Sequence, residues 1–386
     1  MSAHHRTSSS LKLSLHELNA LAADVVRLSQ LLTRDRESLP SAYLKDKGLR
    51  KAYEAYFLPA NIAKIHAPLS ELSRHPAGLL SRERLRILDI GSGPGTSILG
   101  MLSFFAKRDT KPFLEFTALD QVAENLNVTE ALFASHRDTV QGKASLKTLT
   151  SDISKIVLQR EVNYDIIILS NVLNELFQNN DDRISKRITL LQAIISGSLA
   201  PEGSCIIIEP ALRETSRDML QVRDGLLVDG LSIYAPCLHA GACPACANPR
   251  DWCHEDIPWD PPGLIKEVDR IIGLRKDSLK FSYLVIRKDA HSLADCYRGS
   301  SYRVVSEPLV SKGKQEYFLC NGRERKLATR QDKNTSEENR LFNDLKRGDI
   351  VEFDGLIDEG KRFTVAKETV VELRAYRQKK IPDKPE

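Results

Sequence analysis

Four of the chain's seven cysteines, Cys237, Cys243, Cys246 and Cys253, fall within seventeen residues. Their spacing, Cys-x5-Cys-x2-Cys-x6-Cys, could close one tetrahedral site from a single segment. In a chain without a secretory signal, thiols at this density read as a metal site rather than a disulfide framework. Soft sulfur ligands select zinc or an iron–sulfur cluster, and four thiolates satisfy either. His239 and His254 are nearby alternative ligands, though each reads more simply as a residue beside the site or on the surface. Cys205 lies in an apolar strand as a core thiol, Cys296 falls in a linker with no evident role, and Cys320 ends a strand facing a turn.

A second constellation precedes the cysteines. Leu88-Asp-Ile-Gly-Ser-Gly-Pro-Gly-Thr96 closes a strand and opens a helix. Its glycines suit a tight turn and let the backbone approach a ligand. The pattern is G-x-G-x-G rather than the dinucleotide G-x-G-x-x-G. With Asp89 directly before it, it resembles motif I of the S-adenosylmethionine (SAM) methyltransferases. That resemblance implies that Gly91, Ser92, Gly93 and Gly95 lie against the methionine part of SAM. It also implies that Asp120 accepts hydrogen bonds from both ribose hydroxyls and that Asp152 sits beside adenine. Ser170-Asn-Val-Leu-Asn-Glu-Leu176 occupies the motif IV position, where Asn171 and Asn174 face the methyl donor or merely cap the next helix. No Asn-Pro-Pro-Tyr is present, and no cysteine stands where 5-methylcytosine enzymes carry their nucleophile. A glycine-rich turn that binds nothing is the competing reading.

The elements that must position these residues follow from periodicity. Leu13, Leu15, Leu18, Leu21 and Val25, then Leu28, Leu31 and Leu32, recur at helical spacing, and a second helical stretch over 41–75 is broken by Pro59 and Pro68. From Leu85 short apolar runs at 86–90, 113–120, 164–170 and 205–209 alternate with helical patterns at 97–105, 122–136 and 184–199. This βαβ repetition predicts a parallel sheet covered by helices on both faces. The Pro-, Gly- and Cys-rich stretch 235–262 reads as a loop, and 280–286 as a strand returning to the main sheet. After a linker at 290–300, strand candidates at 302–306, 316–320, 326–330 and 349–353 suggest a small β-barrel or OB-like module, and residues 378–386 a disordered tail. The expected domains are an N-terminal helical region, 11–80, a core domain, 81–290, and a β module, 300–370.

At 386 residues, 41% hydrophobic and 28% charged, the chain reads as globular, and no apolar run approaches a membrane span. The net charge of +4 is uneven. Residues 297–386 hold 20 Lys and Arg against 16 Asp and Glu, whereas the first 296 residues hold 36 of each. That hints at RNA, with Arg323, Arg325, Lys326, Arg330 and Lys333 as the candidate face; a solvated charged strand edge is the alternative. The N-terminus lacks an apolar signal core and weakly resembles a transit peptide, although a short disordered tail fits it better.

The motifs also occur in a specific series. The glycine loop and Ser170–Leu176 are followed by Ile208-Glu-Pro-Ala211, Ala235-Pro-Cys-Leu-His239, Ala242-Cys-Pro244, Asp251-Trp-Cys-His254 and Lys280-Phe-Ser-Tyr283. This series resembles the methyltransferase-like family that includes a mitochondrial small-subunit ribosomal protein and its bacterial relatives. The resemblance spans most of 80–355. It implies a Rossmann-like class I SAM methyltransferase fold, α/β, with an N-terminal helical cap, the Cys-rich segment and an OB-like module. It implies a [4Fe–4S] cluster held by Cys237, Cys243, Cys253 and Cys320, which leaves Cys246 as an extra thiol. Against this stands the local four-cysteine reading with zinc. Where the family often has Glu-Pro-Gly, this chain has Glu209-Pro210-Ala211, which disfavours positive φ there. The implied function is a small-ribosomal-subunit assembly or translation factor that contacts rRNA, in the bacterial cytoplasm or alternatively the mitochondrial matrix. The competing function is an active rRNA methyltransferase with Asn171, Asn174 or Glu175 near the methyl. A zinc-stabilised methyltransferase of small molecules is a third.

Overall fold

The computed structural model describes residues 13–35, 43–139, 143–153, 163–297 and 301–375. The expected N-terminal and C-terminal tails fall largely outside them. In chain order the elements are α1 (Leu15–Thr33), α2 (Lys47–Ala52), α3 (Leu58–Lys64), α4 (His66–Leu72), β1 (Arg84–Ile90), α5 (Thr96–Ala106), β2 (Phe113–Asp120), α6 (Ala123–His136), β3 (Ala144–Thr150), β4 (Tyr164–Ser170), α7 (Arg183–Ser198), β5 (Leu199–Pro210), α8 (Arg213–Val228), β6 (Ser232–Ala235), β7 (Glu255–Pro258), α9 (Gly263–Ile272) and β8 (Ser278–Arg287). The remaining strands are β9 (Ser301–Val304), β10 (Leu309–Ser311), β11 (Lys314–Cys320), β12 (Arg325–Gln331), β13 (Ile350–Asp354), β14 (Ile357–Asp358), β15 (Arg362–Thr364) and β16 (Val370–Ala375).

The chain divides into two compact units, one of residues through Ala60 with Pro261–Asp277 and one of Asn61–Asp260 with the chain from Ser278 onward. The first is helical. Ser14 and Glu17 form a reciprocal capping box at the start of α1, which buries Leu21, Val25 and Leu28 on one stripe. Asp46 Oδ1 caps α2 by accepting from the Gly48 and Leu49 amides at 2.9 and 3.2 Å. Pro59, expected to break a helix, instead follows directly on the π-helical turn Tyr53–Phe57 as the second residue of α3, so the helical stretch runs through it, while Pro68, in the second unit, falls in the first turn of α4.

The second unit contains two sheets. The first runs β3-β2-β1-β4-β5-β8-β6, with β7 also paired to β8. Strands β3, β2, β1, β4 and β5 are parallel, while β8 is antiparallel to β5, β6 and β7. The central strands are buried on both faces, so β4 and β5 carry the runs Ile166–Leu169 and Cys205–Ile208 without polar interruption. β3 gave no clear sequence signal because its residues are exposed or only half-buried. The Cys-rich stretch is not entirely loop: β7 joins the sheet edge through Glu255–Pro258.

The other sheet is the C-terminal β module, ordered β14-β15-β12-β11-β9-β13-β16, with β10 on β11. It curls around Val304, Tyr317, Leu319, Phe342, Phe363 and Val371. The fold is an α/β mixed sheet with an added β module.

Candidate functional sites

The strand order reverses between β1 and β4, and ligands of open parallel sheets bind outside the carboxyl ends of strands at such a point. The glycine loop leaves β1 there. Gly91, Gly93 and Gly95 all have positive φ, at 64°, 52° and 81°. A Cβ on Gly91 would lie 2.4 Å from Val172 Cγ2, and one on Gly95 2.7 Å from Thr129 Cγ2, whereas one on Gly93 would meet nothing within 4 Å. Two glycines thus let the loop pack against its neighbours, and the middle one borders open space.

Asp120, at the end of β2, holds this loop. Its Oδ2 accepts from the Gly93 amide at 2.8 Å, and its Oδ1 accepts from the Val122 amide at 2.8 Å and Asn125 Nδ2 at 3.2 Å. Asp152 follows β3 beside Ser151, whose amide donates to the Asp120 carbonyl at 3.0 Å. Asn171, with φ 58°, donates its amide to the Ile208 carbonyl at 2.8 Å after β4. The structure therefore gathers Asp89, Gly91, Ser92, Gly93, Gly95, Asp120, Asp152 and Asn171 at the carboxyl ends of β1 to β4.

Several buried polar atoms here lack partners among the described residues: both carboxylate oxygens of Asp89, Ser92 Oγ, Asn125 Oδ1, Asn174 Oδ1 and Glu209 Oε2. Such orphans are costly unless a ligand or water satisfies them. Burial, and then the Asp120 charge, push the Asp89 carboxyl well above the usual carboxylate range. Glu209 is pushed to about 8, first by burial. Its Oε1 accepts from the Leu173 amide at 2.9 Å. Arg187 grips the same turn from the other side, donating to the carbonyls of Leu176 at 2.9 Å and Asn174 at 3.1 Å while pairing with Asp218. Sequence reasoning missed Arg187, whose role depends on partners far along the chain. Ala211 is not among the positive-φ residues, so the turn after β5 does without the family's glycine.

The cysteines form a separate site. Cys237, Cys243, Cys253 and Cys320 all line one cavity with His239, Trp252, Glu255, Tyr283, Arg303 and Arg325; Cys246 is not among its lining residues. Three of these thiols come from the segment between β6 and β7 and the fourth from the end of β11. Burial, then Cys237, push Cys320 to about 11, and burial, then Cys237, push Cys253 to about 12. Cys243 is raised by burial, Cys237 and Cys253. Cys243, Cys253 and Cys320 thus each lie close enough to Cys237 to be affected by it. Cys246, on a short helical turn, is also raised, by burial and Asp224, and contacts Cys243. Among the described residues no group of three His, Cys, Asp or Glu side chains is arranged to hold a single metal ion.

The walls of this cavity are bonded together. Arg325 pairs with Asp251 and lies over Phe318. Arg303 pairs with Glu71 at 2.8 Å, and Glu71 Oε2 accepts from Tyr283 Oη at 2.6 Å. The expected RNA face is altered by such commitments. Arg325 is taken by Asp251, Lys326 by Glu324 and Asp358, and Arg330 is 3% exposed, donating to the Asn339 carbonyl at 3.1 Å. Only Arg323 and Lys333 of the five are exposed; Lys326 and Arg330 find acceptors within the module, and Arg325 finds Asp251 in the Cys-rich segment.

The reversing sheet order, the antiparallel β8 and the glycine loop together define a class I SAM methyltransferase-like fold. Residues 49–368 match the family described as mitochondrial small ribosomal subunit Rsm22, and the chain belongs to that family. No curated protein matches the sequence. Solved structures similar to it include the CMeT domain of the citrinin polyketide synthase, at 15% identity and TM-score 0.38, covering 71% of this chain and 67% of that one. The glycopeptide N-methyltransferase MtfA complexed with sinefungin shows 14% identity and TM-score 0.34, with coverage of 59% and 94%. A SAM-dependent methyltransferase from Methanosarcina mazei shows 14% identity and TM-score 0.32, with coverage of 55% and 96%. No helix among the described residues is long and apolar enough to cross a membrane.

Proposed function

We propose that this protein is an assembly or translation factor of the small ribosomal subunit that contacts rRNA and carries both SAM and a [4Fe–4S] cluster. What carries the reading is the cavity lined by Cys237, Cys243, Cys253 and Cys320 but not Cys246, a ligand set drawn from two segments that the family resemblance independently implies. The cluster would supply a redox-active cross-link between the Cys-rich segment and the β module. The orphaned atoms of Asp89 and Ser92 support a ligand in the glycine-loop pocket. There the backbone of Gly91–Gly95 would face the methionine part of SAM, Asp120 the ribose and Asp152 the adenine; bound SAM would supply an activated methyl group. The family's description favours the mitochondrial matrix over a bacterial cytoplasm.

The deciding experiment is anaerobic purification with iron, sulfide and zinc analysis of the native protein and of Cys320→Ser and Cys246→Ser. The expected result is about four irons and four sulfides per chain, lost in Cys320→Ser and kept in Cys246→Ser. One zinc and no iron, or full iron in Cys320→Ser, would sink the ligand assignment.

A second reading, an active rRNA methyltransferase, is favoured by the unpartnered Asn174 Oδ1 and Glu209 Oε2 on the buried side of the post-β4 turn. It requires methyl transfer from labelled SAM to precursor small subunits, and no transfer with Asn174→Ala.

A further inference from the structure

Arg223 is fully buried, at 0% side-chain exposure, in the C-terminal half of α8. Its Nε donates to Cys237 Sγ at 3.2 Å. Its other nitrogens donate to the Gly241 carbonyl at 2.9 Å and the His239 carbonyl at 3.4 Å. One side chain therefore grips the whole loop that carries Cys237. The next residue, Asp224, pairs with Arg223 and accepts the Cys243 amide on both oxygens at 3.1 Å. Two adjacent residues of one helix thus fix the backbone at two of the four cavity thiols.

A buried guanidinium must be matched by negative charge, and the carboxylate paired with it among the described residues, Asp224, is 27% exposed. On the cavity side its Nε meets Cys237 Sγ at 3.2 Å, so a thiolate there would complete the match. A cation and an N–H donor beside a ligating sulfur favour the more electron-rich state of an iron–sulfur centre, because reduction adds negative charge next to them.

We propose that Arg223, braced by Asp224, positions Cys237 and Cys243 and raises the reduction potential of the cluster these thiolates hold. This rests on the cluster reading given above. Replacing Arg223 by Lys keeps the charge but cannot reach Cys237, His239 and Gly241 at once. Replacing it by Gln removes the charge.

The test compares native protein, Arg223→Lys and Arg223→Gln, each purified anaerobically. Iron and sulfide are counted, folding is checked by thermal melting, and the midpoint potential is read by potentiometric titration followed by electron paramagnetic resonance. The expected result is a potential below the native value in Arg223→Lys and lower again in Arg223→Gln, with release of iron to a chelator accelerated at least tenfold in the latter. Should Arg223→Gln not fold, Arg223→Lys alone decides. Loaded variants that titrate at the native potential overturn this proposal and leave the cluster reading standing. A native protein that carries no iron overturns the cluster reading and this proposal with it.

Discussion

Gly322 has no room for a side chain because His239 occupies its place: a Cβ there would lie 1.5 Å from His239 Cγ and 1.8 Å from its Cδ2. The contact joins the turn after β11, two residues past Cys320, to the loop two residues past Cys237. Gly322 also has φ 85°, a conformation other residues adopt only with strain. Gly322→Ala should therefore destabilise the protein by about 2 to 4 kcal/mol in urea melts and lower its iron content. Gly355→Ala is the control. That site has φ 76° but no atom nearer than 3.8 Å, so its loss should stay at about 1 kcal/mol.

Gly91→Ala should displace the turn after β4, since the new methyl would collide with Val172. Positive φ and this collision should together cost about 2 kcal/mol or more in urea melts, and calorimetric titration of the folded variant should show SAM binding weakened at least tenfold. Unchanged SAM affinity would remove the glycine loop from the ligand pocket.

Glu209 should make stability fall with rising pH. Its carboxyl is pushed to about 8 in the folded chain, first by burial, against an ordinary value of 4.5. Between those values the native state holds a proton that the unfolded state has released, so each pH unit removes up to about 1.4 kcal/mol. The contribution is fully present below the ordinary value and lost as pH passes the raised one. Glu209→Gln, which keeps an acceptor for Leu173, should flatten this dependence and melt higher than the native protein above pH 8. Parallel pH profiles for the two proteins would refute the assignment.

Arg330→Met should weaken the β module by about 1 to 3 kcal/mol, because it strips a buried donor from Asn339. Arg323→Ala and Lys333→Ala, at exposed positions, should leave melting within about 0.5 kcal/mol. If this side of the module touches rRNA, only the latter pair should lessen the salt dependence of binding.

The parallel sheet was legible because β4 and β5 carry unbroken apolar runs, short apolar segments alternate with helical patterns, and the glycine loop is contiguous in sequence. β3 was not, because its half-exposed residues lack that run. Cys237, Cys243 and Cys253 could be read from local spacing, but spacing alone favoured Cys246 over Cys320, and only the family resemblance reversed the preference. Arg223 carries no local signal, since an arginine in an amphipathic helix normally faces water. The internal pairing of Arg325 and Lys326 was not legible because their acceptors Asp251 and Asp358 lie 74 and 32 residues away in sequence.

The cavity wall also has an order in time. A ribosome making this chain completes Cys237, Cys243 and Cys253 well before it reaches Arg303, Cys320 and Arg325. Until β9 and β11 have left the exit tunnel, the cavity lacks the wall that Arg303, Cys320 and Arg325 supply. The enclosing half of the site can close over them only after β11 has emerged, so whatever occupies the cavity must be retained by, or delivered to, a chain already made past Cys320.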